Sequence, residues 1–213
     1  QLEWETLNDH KTADFDAVCV ANGHYALPSV PHLPGREHFQ GKIIHSIEYD
    51  EPSVFQNQTV VCIGGRASGS DLAREISQFA TKVYLSDTTM ESTQVVGNVT
   101  WVPRTVFVNP GGTLQFDHDC QLKPTVDVII FCTGYDYHLP FVNGQSNIDL
   151  ENVPGERRIS PLFEQLWHAR YPNLSFHGLP HSIIPFPLFE LQAEAVTGQF
   201  LGRFQLPPCD QRL

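Results

Sequence analysis

The sequence predicts an α/β fold built around a parallel sheet, and three consecutive segments carry that prediction. Residues 59–63 form an apolar run that ends on Gly64 and Gly65. In the next segment apolar residues recur with a period of about 3.6, which predicts an amphipathic helix. Residues 82–85 then form a second apolar run. A strand, a glycine turn, a helix and a strand in this order make the βαβ unit of a parallel sheet.

The predicted helix has one apolar stripe and a polar opposite face. The stripe consists of Leu72, Ala73, Ile76, Phe79 and Ala80. Ser68 followed by Asp71 has the form of a capping box, in which the serine hydroxyl accepts a backbone hydrogen bond. The pattern therefore predicts that the helix begins at Ser68.

Before this unit, residues 17–20 form a short apolar strand that stops at Asn22 and Gly23. Three regularly spaced prolines follow and exclude a helix there. The polar, irregular start of the chain and the absence of an initiator methionine at Gln1 lead us to expect a chain entered partway through.

After this unit, residues 105–108 and 113–116 flank an Asn-Pro-Gly-Gly turn and predict a hairpin. Residues 126–132 predict a buried strand that ends at Thr133 and Gly134. A last helix is expected from about residue 189 to residue 202.

The composition limits the classes of partner. The chain has 213 residues, a formal net charge of -11 and 41% hydrophobic residues. This charge argues against nucleic acid or an anionic membrane as the main partner, and no apolar run approaches the roughly 20 residues that span a bilayer. Three of the five cysteines, Cys19, Cys62 and Cys132, lie in apolar segments. This usage is typical of a reducing compartment, so we expect a cytoplasmic location.

The glycine turn at residues 64–69 is the strongest mechanistic feature. A helix N-terminus offers free N–H groups and a positive dipole to a pyrophosphate. Gly64 would allow the tight turn and Gly69 the close packing of helix on strand. Arg66 stands where the G-x-G-x-x-G fingerprint has its second glycine, so its side chain must point away or contact phosphate itself. The alternative is a βαβ unit that binds nothing.

Asp87 ends the second strand of this unit. An acidic residue there hydrogen-bonds the ribose 2′-hydroxyl of NAD, whereas a basic residue accommodates the phosphate of NADP. Asp87 therefore favours NADH or a relaxed preference; the alternative is a surface turn.

One motif carries a resemblance to a known family. Phe39, Gly41, His45 and Tyr49 match the F-x-G-x-x-x-H-x-x-x-(Y/F) motif of flavin-containing monooxygenases. Three further segments fit in order: residues 20–25, residues 131–135 and residues 186–193. The chain therefore resembles that family from about residue 17 to residue 208. In Baeyer–Villiger enzymes the histidine starts a His-Thr-x-x-Trp motif, which is absent after His45.

The resemblance implies two Rossmann-like domains, with an NADPH-binding domain inserted in an FAD-binding domain. It implies FAD and NADP as cofactors (NAD is an alternative), and the transfer of oxygen from O₂ to a soft nitrogen or sulfur nucleophile. On this basis residues 1–50 are a remnant of the FAD-binding domain with a linker. Residues 51–132 form the NAD(P)H-binding domain, and residues 133–213 return to the FAD-binding domain.

The resemblance also implies the site. The residues implied to contact the nicotinamide cofactor are Gly64, Gly65, Arg66, Ser68, Gly69, Ser70 and Asp71. Those implied to lie at the crossings between domains are Asn22, Gly23, Thr133 and Gly134, and Gln192 is implied to line the flavin side. No catalytic residue is assigned, because the oxygen chemistry belongs to the flavin. The spacing of the histidines, including His24 and His177, predicts no metal site, and we expect His45 to be a structural hydrogen-bonding residue.

Two departures from the family pattern leave an alternative open. The sequence has no glycine fingerprint for FAD, and Arg66 replaces a glycine in the dinucleotide turn. We therefore expect the isolated chain to be inactive. The alternative is a catalytically silent nucleotide-binding or interaction module.

Overall fold

The computed structural model describes residues 2–7, 9–142, 148–153 and 156–213, which form two compact units. The inserted unit is Pro28–Tyr135, and the flanking unit combines residues 1–27 with residues 136–213. The divisions expected from the sequence lay at residues 50/51 and 132/133. The structure instead places residues 28–50 with the inserted unit, because the strand Lys42–His45 pairs in its sheet.

The described strands and helices follow one another along the chain. The strands are β1 (Leu2–Thr6), β2 (Asp9–Ala13), β3 (Val18–Val20), β4 (Leu27–Pro28), β5 (Lys42–His45), β6 (Thr59–Ile63), β7 (Lys82–Ser86), β8 (Gln94–Val96), β9 (Val99–Val102), β10 (Thr105–Val108), β11 (Leu114–Phe116), β12 (Val128–Phe131), β13 (Tyr135–Asp136), β14 (Glu151–Asn152), β15 (Ile159–Ser160), β16 (Leu162–Phe163), β17 (Trp167–His168) and β18 (Leu174–Phe176). The helices are α1 (Ala67–Ile76), α2 (Pro185–Phe200) and α3 (Cys209–Arg212).

The inserted unit is built on a six-stranded sheet in the order β5-β12-β6-β7-β9-β8. The pairs are parallel except the last, in which β8 runs antiparallel to β9. The predicted α/β class is confirmed, as is the predicted hairpin of β10 and β11.

The central strands have apolar side chains on both faces. Because successive side chains of a strand point to opposite faces, Val60 and Cys62 of β6 pack with Ala73 and Ile76 of α1. Val61 lies in a second cluster with residues of β11 and β12. All four residues of β12 are buried, as expected for a strand covered on both sides.

Helix α1 differs from the prediction at both ends. It begins at Ala67 after the N-cap Arg66, which makes no side-chain cap hydrogen bond, so the predicted capping box at Ser68 is wrong. Ser68 already lies inside the helix and is exposed. The helix ends at Ile76, and Phe79 is consequently 42% exposed although it continues the apolar stripe.

The flanking unit contains a four-stranded sheet in the order β16-β17-β18-β3. Strand β3 pairs in parallel with β18, opposing Cys19 to Ser175. Helix α2 begins at Pro185, four residues before the predicted start, and ends at Phe200. Among the described helices, none has the length and apolar character needed to cross a membrane.

Candidate functional site

The glycine turn joins β6 to α1 at the carboxyl end of the parallel sheet. Gly64 has a φ of +109°, and a Cβ atom there would lie 2.5 Å from the carbonyl oxygen of Cys132. A Cβ atom on Gly69 would lie 1.7 Å from the carbonyl oxygen of Gly64. Both positions therefore require glycine, the first for conformation and space and the second for the close packing of α1 on the turn.

The start of α1 presents backbone amides beside this turn. The first N–H groups of an α-helix have no partner within the helix, and here they belong to residues 67–69. The Ser70 hydroxyl donates to the Gly65 carbonyl at 2.8 Å and braces the turn from within. Arg66 and Ser68 are exposed. This arrangement of a tight turn, free amides and a helix dipole is suited to hold a pyrophosphate.

Asp71 forms an ion pair along the helix. Its Oδ1 lies 3.1 Å from Nη2 of Arg74, one turn further on, and both side chains are exposed. An exposed pair at this spacing contributes little to stability. In this structure Asp71 belongs to the solvent face of α1.

Asp87 lies directly beside the glycine turn. Its Oδ1 accepts hydrogen bonds from the backbone N–H of Thr89 at 2.7 Å and from the Thr89 hydroxyl at 2.6 Å. A Cβ atom on Gly65 would lie 2.2 Å from Asp87 Oδ2. Gly65 is thus needed because the Asp87 carboxylate occupies the space that a side chain would take.

His45 and Gly134 connect the ends of β5 and β12. His45 Nδ1 accepts the backbone N–H of Ile47 at 3.2 Å, so Nε2 carries the proton and donates to the Gly134 carbonyl at 3.0 Å. Burial lowers the pKa of His45 below its usual value, although the hydrogen bond to Gly134 and the charge of Glu48 oppose this. His45 is therefore a neutral structural hydrogen-bonding residue, as predicted.

The Gly134 carbonyl also accepts the backbone N–H of Ser29 at 2.9 Å. The Thr133 hydroxyl donates to the Ser29 carbonyl. Thr133 and Gly134 are thereby fixed to the first residues of the inserted unit, and both remain partly exposed.

Each fixed position of the F-x-G-x-x-x-H-x-x-x-Y motif has a physical role in the inserted unit. Phe39 packs against the apolar cluster of β12. A Cβ atom on Gly41 would lie 2.3 Å from the Asp127 carbonyl oxygen. His45 ties β5 to Gly134, and the Tyr49 hydroxyl donates to Glu75 of α1 at 2.8 Å. The motif therefore fastens β5 and its following segment to the sheet and to α1.

In the flanking unit the backbone of one residue, Gly178, links two of the predicted regions. The Gly178 N–H donates to Oε1 of Gln192 at 2.9 Å, and its carbonyl accepts from Nδ1 of His24 at 2.9 Å. His24 follows Asn22 and Gly23, which are exposed, and Gly23 has a φ of +73°. The Asn22–Gly23 turn and Gln192 of α2 are consequently neighbours of one structural element.

The predicted site residues divide between the two units. The inserted unit contains Gly64, Gly65, Arg66, Ser68, Gly69, Ser70, Asp71, Thr133 and Gly134. The flanking unit contains Asn22, Gly23 and Gln192. The roles of Thr89 and Gly178 were not predicted from the sequence. The Asp-x-Thr spacing was a signal for the role of Thr89, whereas Gly178 had no local signal.

Within the described ranges, no three His, Cys, Asp or Glu residues come together in a geometry that could hold a metal ion.

Comparisons with known proteins give a consistent result. Residues 1–102 match the family described as flavin-binding monooxygenase-like. The chain is 38% identical over 208 residues to the flavin-containing monooxygenase FMO GS-OX1 of Arabidopsis thaliana, covering 93% of this chain and 44% of that protein. It is 39% identical to FMO GS-OX5 of the same plant, covering 91% of this chain and 42% of that protein. The chain thus spans less than half the length of these curated relatives.

The solved structures point the same way. The S-allyl-L-cysteine S-oxygenase from Allium sativum matches with a TM-score of 0.85 and 32% identity, over 99% of this chain and 48% of that one. The structure of Tmm from Pelagibacter sp. matches with a TM-score of 0.81, over 96% of this chain and 46% of that one. At 22% identity the second match supports the fold alone.

Proposed function

Since the chain belongs to the flavin-binding monooxygenase-like family, we propose that its gene product is a flavin-dependent monooxygenase that oxygenates soft nitrogen or sulfur nucleophiles. Members of this family use FAD and NADPH. The proposed reaction consumes NAD(P)H, a proton, O₂ and the substrate. It yields NAD(P)⁺, water and the oxygenated substrate. The name of the garlic relative, an S-oxygenase, supports a sulfur nucleophile as the first substrate class to test.

The observation that carries the proposal is the pair of obligatory glycines at the start of α1. A Cβ atom on either Gly64 or Gly69 would collide with backbone at 2.5 Å or less. The Ser70 hydroxyl braces the turn, and the N–H groups of residues 67–69 have no partner within the helix. These features fit a dinucleotide pyrophosphate, because they leave the backbone open to close approach and aim several N–H groups at one point.

This chain's own residues bind and orient in the proposed reaction. The amides of residues 67–69 hold the pyrophosphate of the dinucleotide. Asn22, Gly23, Thr133, Gly134 and Gln192 are proposed to border the cofactors; of these, Gln192 is held in place by the Gly178 amide. The flavin supplies the activation of O₂ when bound. No side chain of this chain is assigned a proton transfer.

The test is an assay of the complete gene product. We expect it to purify yellow with FAD and to convert a thioether, such as an S-alkyl cysteine, to the sulfoxide with equimolar consumption of NAD(P)H. The matched variant Gly69→Ala should retain FAD and lose NAD(P)H oxidation. A gene product that binds the dinucleotide but never oxygenates amines or thioethers would instead support the alternative, a catalytically silent nucleotide-binding module.

A further inference from the structure

We propose that Asp87 is the specificity-determining residue for the dinucleotide and that it selects NADH over NADPH. The inference rests on the proposed function, because it concerns the dinucleotide held at the glycine turn. It departs from the use of NADPH in the family.

The position of Asp87 follows from the sheet register. Ile63, the last residue of β6, pairs with Ser86, the last residue of β7. Gly64 and Asp87 therefore leave neighbouring parallel strands at the same edge of the sheet. In Rossmann-like domains the adenosine ribose lies over the end of this second strand. An acidic residue there accepts a hydrogen bond from the 2′-hydroxyl of the ribose, whereas a cation is needed to bind a 2′-phosphate.

The Asp87 carboxylate is fastened from two sides. Oδ1 accepts the N–H and the hydroxyl of Thr89, at 2.7 and 2.6 Å. The carboxylate also accepts the N–H of Gly65, over which Oδ2 lies. A carboxylate has about four acceptor positions, so these three donors leave about one for a ribose hydroxyl. A side chain held in this way does not swing aside to admit a phosphate.

The charge at this point is negative. Burial raises the pKa of Asp87. The hydrogen bonds from Thr89 and Gly65 and the charge of Arg66 lower it by more, so the pKa of Asp87 lies below its usual value. Arg66 is the cation next to the carboxylate, and its charge is offset by Asp87. A 2′-phosphate carries about -2 at neutral pH and would meet a like charge, which weakens binding by about tenfold or more.

The experiment measures dissociation constants for NADH and NADPH by calorimetric titration of the complete gene product. We expect wild type to bind NADH about tenfold or more tightly than NADPH. Asp87→Asn and Asp87→Ser should shift this ratio toward NADPH by about tenfold, because removal of the carboxylate exposes a phosphate to Arg66. Adding Arg66→Ala to Asp87→Asn should reverse that gain. Glu51→Gln removes one exposed carboxylate from the same unit and should leave the ratio unchanged.

The outcomes separate the inference from the proposed function. Equal affinities in wild type, or tighter binding of NADPH, overturn the inference while the dinucleotide site stands. The same holds if neither Asp87 variant changes the ratio. Failure of both dinucleotides to bind removes the proposed function and the inference together. The wild-type ratio decides the matter even if the Asp87 variants fold poorly.

Discussion

Gln192 of helix α2 accepts the backbone N–H of Gly178 through Oε1, at 2.9 Å, although the two residues lie on different elements of the flanking unit. Gln192 is only 5% exposed, so this hydrogen bond satisfies a donor that water does not reach. The carbonyl of the same residue, Gly178, accepts a hydrogen bond from Nδ1 of His24. The backbone of Gly178 thus connects α2 with the turn that follows β3.

Replacing Gln192 by methionine should destabilise the flanking unit. The variant leaves the Gly178 N–H buried without an acceptor, which costs about 1–3 kcal/mol. Gln192→Glu keeps an acceptor in place and should recover most of this loss. Gln199 is the matched control on the same helix, since its Oε1 is buried without a partner among the described residues. Urea unfolding measures the free energy of unfolding of both variants. If Gln199→Met lost as much of it as Gln192→Met, the hydrogen bond to Gly178 would not be the cause.

Gly69→Ala should destabilise the inserted unit by about 3 kcal/mol or more, because the backbone of Gly64 stands 1.7 Å from the added Cβ. Gly97→Ala is the control. It places a Cβ at a φ of +59° with nothing within 4 Å, so it should cost only about 1 kcal/mol of backbone strain. The two thermal unfolding transitions, compared with wild type, measure the difference. Equal losses would mean that contact between helix and turn does not constrain residue 69.

Acidification should destabilise the protein as the pH falls below about 6.5, the ordinary pKa of histidine. Burial lowers the pKa values of His24, His45, His168 and His177. A group whose pKa is lower in the folded state binds its proton more readily when unfolded. Stability is therefore full above the unfolded pKa and declines as the pH drops toward the folded values.

The variant His45→Gln should reduce this pH dependence, and urea unfolding at pH 7.5 and pH 5.5 measures it. His32→Gln is the control from the same unit, since the His32 side chain is exposed. A slope that is the same in wild type and His45→Gln would contradict this, because it would mean that the pKa of His45 is the same in the folded and unfolded states.

The sequence predicted those parts of the fold that depend on local pattern. Residues 59–63 and 82–86 are strands because apolar, β-branched residues are bounded by turns, and the glycine turn was identified from its position between strand and helix. The predicted helix start was wrong because α1 begins at Ala67 after the N-cap Arg66, so that Ser68 is already the second residue of the helix. Phe79 was wrongly assigned to the helix, because the apolar periodicity of the sequence continues past Ile76, where α1 ends.

Long-range contacts had no local signal. His24 and Gly178 are 154 residues apart in sequence, and only the fold brings them together. The strands β16 and β17 have two residues each, and the pairing of β16 with β17 and of β17 with β18 depends on tertiary context rather than on propensity. The sequence placed an acidic residue, Asp87, at the end of the second strand. The structure adds the hydrogen bonds from Thr89 and Gly65 that fix its carboxylate.

The most direct test is a crystal structure of the gene product with a bound nicotinamide dinucleotide. We expect the pyrophosphate oxygens to lie about 3 Å from the backbone nitrogens that open α1, with the adenosine ribose beside Asp87. A dinucleotide bound away from this helix end, with the Gly64–Gly69 turn facing solvent, would contradict the account.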